Sequence, residues 1–100
     1  MLESDKSVLF IKEMKFPLGE LVTTPKALAS ISHEDMQTAL SLHASGNWGL
    51  TDKHDTEANN HALEHGGRLL SVYDSSEKVR FWIITEADYS STCILLPMDY

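Results

Sequence analysis

Cysteine is almost missing from this 100-residue chain: Cys93 is the only one. No internal disulfide can therefore form, and the composition suits a reducing compartment such as the cytoplasm. Long apolar runs are missing too. The longest, such as Phe81-Trp82-Ile83-Ile84 and Cys93-Ile94-Leu95-Leu96, reach four residues, against about 20 for a membrane-spanning helix, so no membrane span is expected. The opening Met1-Leu2-Glu3-Ser4-Asp5 has neither the positive start nor the apolar stretch of a secretory signal. Positive charge is scarce, with 8 Lys and Arg against 15 Asp and Glu and a formal net charge of −7. A surface of that sign repels nucleic-acid phosphates, so direct nucleic-acid binding is not expected. A phosphate-binding glycine loop, a CxxC pair and a dinucleotide fingerprint are all absent, and no cofactor is expected.

What is present reads as one α+β domain. The 42% hydrophobic and 23% charged fractions are those of a globular protein. Residues 1–15 read as an N-terminal arm or short strand around Val8-Leu9-Phe10-Ile11, and residues 16–100 as a single domain. Glu20-Leu21-Val22-Thr23 is strand-like. Thr24 before Pro25 supplies a capping hydroxyl and a first-turn proline, which predicts a short helix over 25–31. Ser32 with Asp35 resembles a capping box, and Met36, Ala39, Leu40 and His43 recur on one helical face until Gly46. Thr51 or Asp52 opens a third helix reaching about His65, with Gly66-Gly67 as its stop and Ala58, Ala62 and His65 as its shared face. From Arg68 the period becomes two. Leu69, Ser71 and Tyr73 alternate with Leu70 and Val72, and Val79, Phe81 and Ile83 with Arg80, Trp82 and Ile84, with turn chemistry at 74–77 and 86–90 and a last strand from Thr92 to Leu96. The expected fold is a three-stranded or slightly larger antiparallel sheet, its C-terminal meander packed by two or three N-terminal helices.

Chemistry is harder to place. His61-Ala62-Leu63-Glu64-His65 fits the H-x-x-E-H pattern of inverted zinc proteases, in which two histidines four apart on a helix hold a metal and the glutamate takes a proton from bound water. Gly66 ends the helix at once and no third ligand follows from the spacing, so His61 and His65 are weak metal candidates and no metal is expected. Cys93, in an alternating strand with apolar neighbours Ile94 and Leu95, reads as a buried, inert thiol. Glu86 and Asp88, with Thr85 and Tyr89, form a polar corner between two apolar strands, a place where binding groups often sit but where a charged turn is the commoner explanation. Trp48 and Trp82 read first as packing residues and second as interface anchors.

Four strings share a further property: 18–25 (Leu18-Gly19-Glu20 to Pro25), 43–49 (His43-Ala44-Ser45-Gly46-Asn47-Trp48-Gly49), 67–73 (Gly67 to Tyr73) and 82–100 (Trp82 to Tyr100). Over about residues 16–100 the chain resembles a family of small bacterial proteins associated with plasmids, phages and other mobile elements, whose biochemical activity is unsettled. The resemblance implies a mobile-element setting and no mechanism. It marks His43, Asn47, Trp48, Glu86, Asp88 and Thr92 as candidate binding residues. The resulting expectation is a non-enzymatic accessory protein whose partner is another protein, monomeric or homodimeric. The alternatives are an acidic, DNA-mimicking inhibitor of defence enzymes and a small metal-dependent hydrolase using His61, Glu64 and His65.

Overall fold

The alternation from Leu69 onward does become a meander: in the computed structural model, which describes residues 14–100, β2 (Leu69–Asp74), β3 (Arg80–Thr85) and β4 (Ser91–Leu95) pair antiparallel in sequence order. The arm or strand expected at Val8–Ile11 lies outside the described residues. Glu20–Thr23 forms β1 and adds to the free side of β4, but in parallel, from Glu20 opposite Ser91 to Thr23 opposite Ile94. The sheet order is thus β1-β4-β3-β2, four strands and mixed rather than wholly antiparallel.

The helices start where side chains can satisfy their first amides. Thr24 caps α1 (Pro25–Ser30) by accepting from Ala27 N–H. Its hydroxyl also donates to Asp99 at 2.6 Å, which ties the helix start to the C-terminal 3-10 turn Pro97–Asp99 and holds the Asp99 carboxyl below its usual range. Ser32 caps α2 (His33–Ala44), and the Asp35 carboxylate reaches across to the N–H and hydroxyl of Ser76 in the β2–β3 turn. Asp52 caps α3 (Lys53–His65), which stops at Gly66.

The result is an α+β fold in two layers. Inward from the sheet point Leu69, Tyr73, Phe81, Ile83 and Ile94, and the helices bury Ala27, Met36, Ala39, Ala44 and Ala62 against that face. One turn of the α3 prediction needs correcting. Ala58 and His65 are exposed, and the residue sharing the buried face with Ala62 is Asn59. A polar residue is favoured there because its amide behaves as a missing strand. Asn59 Nδ2 donates to Leu70 C=O at 2.7 Å and its Oδ1 accepts from Leu70 N–H at 3.0 Å, pairing the outer edge of β2. Two positions along, Val72 N–H donates to Trp48 C=O and Val72 C=O accepts from Leu50 N–H, a parallel bridge opposite Gly49. The β2 edge is closed by these two devices. Asn59→Ala, which strands both Leu70 groups, should cost about 2–3 kcal/mol, read as a lower urea midpoint.

Candidate functional site

His43 is brought to the sheet by α2 and is wholly buried, as are Ser71 of β2, Thr85 of β3 and Thr92 of β4. Together they form one hydrogen-bonded chain: His43 Nδ1 lies 2.6 Å from Ser71 Oγ, His43 Nε2 is 2.8 Å from Thr85 Oγ1, Thr85 Oγ1 is 2.7 Å from Thr92 Oγ1, and Thr92 Oγ1 donates to Leu18 C=O at 2.6 Å. The last link fixes the direction of every other, because a carbonyl can only accept. Thr92 spends its proton on Leu18 and so accepts from Thr85. Thr85 in turn accepts from His43, which must carry its proton on Nε2, leaving Nδ1 to accept from Ser71.

Aromatic rings surround this histidine. Phe16 meets it edge-on with ring centroids 5.2 Å apart and Trp48 at 5.7 Å. Burial in that cage pushes the imidazole pKa down to about 4, so it is neutral at physiological pH. A serine hydroxyl donating to a neutral imidazole is also the geometry of an activated nucleophile. Here both partners are sealed from solvent, and no substrate atom can reach Ser71. The chain braces three strands and one helix.

Of the sequence candidates, His43, Trp48 and Thr92 therefore meet in one cluster. Trp48 is buried, with its indole N–H donating to Asn60 at 2.9 Å. Asn47 stands beside them in a structural role: its side chain accepts from Gly49 N–H and its carbonyl from the Tyr73 hydroxyl. Glu86 and Asp88 do not join. Asp88 accepts from Ser90 N–H within its own turn, and Glu86 pairs loosely with Arg68 at 3.4 Å. His61 and His65 are exposed with their rings 4.3 Å apart. Among the described residues no group of three or more His, Cys, Asp or Glu is placed to hold a metal. Ser71 and Thr85 were missing from the sequence candidates, although the alternation that turns Leu69, Phe81 and Ile83 inward carries both with it.

The second feature is the other face of the sheet. Leu70, Val72, Trp82, Ile84, Cys93 and Leu95 point away from the helices, and none belongs to the clusters the helices bury. Cys93 is half-buried there rather than fully enclosed, and burial pushes its thiol pKa up. A groove of about 200 Å³ lies on this face over β2 and β3, lined by Arg68, Leu70, Trp82, Ile84 and Tyr100. Tyr100 packs edge-on against Trp82 at 5.5 Å, and the Arg68 guanidinium lies 5.9 Å from the Tyr100 ring centre while donating to its hydroxyl. Two cross-strand ion pairs flank the apolar stripe, Arg68 with Glu86 at one end and Arg80 with Asp74 at the other. They use the chain's only two arginines. At this volume the groove accommodates one large side chain rather than a whole small-molecule substrate.

The chain matches no family model, no curated protein and no solved structure.

Proposed function

We propose that this protein is a non-enzymatic protein-interaction module, an accessory protein of a bacterial mobile element acting in the cytoplasm, and that it docks its partner on the face of the sheet that none of the described helices covers. The groove beside Trp82 carries the reading. Trp, Tyr and Arg are the residues that dominate binding energy at protein interfaces, and here all three converge on a pocket one side chain wide. The partner it fits is a protein whose contact segment inserts one large apolar side chain. The flanking ion pairs balance their own charge, which suits a neutral contact surface better than a nucleic-acid backbone. The resemblance of residues 16–100 to mobile-element proteins supports the setting, and no helix among the described residues is long and apolar enough to cross a membrane.

The carboxylates weigh against a phosphate-mimicking surface. Asp35 is bound to Ser76, Asp74 to Arg80, Asp88 to Ser90 and Asp99 to Thr24, and these bonds hold all four carboxyls below their usual range. All four hold turns and helix ends together, and Asp74 and Glu86 are interleaved with the two arginines, which breaks the run of negative charge that a phosphate mimic needs.

A photo-crosslinking residue at Val72, half-exposed on that face, tests the proposal against the same residue at Glu57, on the exposed side of α3. The expected result is a single protein captured from Val72 and not from Glu57, which once purified binds Tyr100→Ala about tenfold or more weakly than wild type. Tyr100 is 72% exposed, so its loss opens the groove without touching the core. Equal capture from both positions, or equal binding by wild type and Tyr100→Ala, would overturn the assignment.

A further inference from the structure

We infer that β1 is a pairing edge for a second copy of this chain, and that two copies join their sheets antiparallel about a two-fold axis passing between their Val22 residues. The two edges of the sheet differ sharply. On β2 the outward backbone groups of Leu70 and Val72 are satisfied by Asn59 and by the Trp48–Leu50 segment. On β1, Glu20 N–H and Thr24 N–H donate inward to Ser90 and Ile94 on β4, so the alternation of the strand turns the backbone groups of Leu21 and Thr23 outward. Among the described residues no strand lies beyond β1. Three guards of a free edge are missing, since Glu20–Thr23 holds no proline, lysine or bulge; the guards it has are its four-residue length and Glu20, and between Glu20 and Thr23 lie Leu21, 53% exposed, and Val22, 41% exposed.

The residues select both the occupant and its register. Placing Val22 opposite itself sets each Leu21 against Thr23 of the other copy, so that the two exchange N–H to C=O bonds in both directions, twice over by symmetry. Glu20 then falls opposite Thr24 instead of a second Glu20, and no like charges meet. The Val22 pair occupies a non-hydrogen-bonded site, where side chains approach closest and two valines pack well. Because Val22 shares its face with Cys93, this pairing runs the faces of the two copies that no described helix covers into one surface. The net charge of −7 on each chain opposes the approach. Added salt should therefore tighten this dimer, the reverse of what it does to an interface held by opposite charges.

Sedimentation equilibrium on the full chain, up to about 1 mM so that even a millimolar dissociation constant registers, should show the mass rising towards twice the 11.2 kDa of one chain. Val22→Lys and Val22→Glu should each keep the single-chain mass with an unchanged far-UV spectrum, and an equimolar mixture of the two should regain the double mass. Leu21→Pro, which removes an outward N–H and none of the bonds to β4, should also stay single. A wild type that keeps the single-chain mass at about 1 mM, a dimer that survives either Val22 substitution alone, or a mixture that fails to reassociate would each overturn the inference.

Discussion

Gly49→Ala is expected to lower the free energy of unfolding by about 4 kcal/mol or more, a loss that point substitutions reach only through a specific structural conflict. Gly49 sits at φ +73°, a conformation that L side chains rarely adopt. A Cβ there would lie 2.1 Å from the Val72 carbonyl oxygen and 2.8 Å from the Tyr73 ring, both fixed parts of the fold. The segment would have to lift off β2, breaking the bonds from Val72 to Trp48 and from Leu50 to Val72 and loosening the indole that packs on His43. Gly66→Ala is the control. Its φ of +97° is equally foreign to alanine, but no atom lies within 4 Å of the added methyl, so only backbone strain of about 1–3 kcal/mol is expected. Urea unfolding of the two variants separates steric exclusion from strain.

Stability should fall by on the order of 3 kcal/mol as pH drops from about 6.5 to 4, through His43 alone. The imidazole titrates near 4 when folded, against 6.5 as its ordinary value. Across that window the unfolded chain binds the proton and the folded one does not. The contribution is thus whole above 6.5 and is lost progressively as pH falls towards 4. A proton on Nδ1 would also oblige Ser71 to accept where it now donates, breaking the order of the hydrogen-bonded chain. The four depressed aspartates act lower, since their stabilisation is present above the ordinary carboxylate value of 3.8 and disappears as pH falls through their folded values. The two windows therefore separate. Urea midpoints taken at intervals from pH 7 to 4 should slope downward in wild type and flatten in His43→Gln; an equal slope in both would show that His43 is not the group responsible.

Local chemistry was legible where neighbours in sequence decide the structure. Thr24 and Ser32 cap the helices their hydroxyls announce, Asp52 proves to be the cap of the third where Thr51 was equally open, and the alternation from Leu69 to Leu96 corresponds to the meander. His43 was placed on the buried face of its helix for the same reason. The partner of β1 was not legible, because a four-residue strand carries too little pattern to choose between β4, about 70 residues away, and solvent, and that choice is made by tertiary packing. Apolar periodicity points to Ala58 and not to Asn59, because it registers only the burial of apolar side chains. The residue that belongs there is selected by the unpaired amide and carbonyl of Leu70, which periodicity does not register. Composition groups Thr85 with the neighbouring polar corner of Glu86 and Asp88, whereas strand alternation separates it from them and sends it into the core.

The closed β2 edge also limits how far this protein can polymerise. A sheet with two free edges behaves as a bifunctional monomer, adding units at either end in the manner of a cross-β fibre. With Asn59 and the Gly49 bridge stoppering one end, each chain is monofunctional for backbone pairing, and growth terminates after a single addition however high the concentration. Substitutions that free Leu70 or Val72 would restore the second reactive end, so Asn59 and Gly49 guard the solubility of the folded chain independently of the stability they confer.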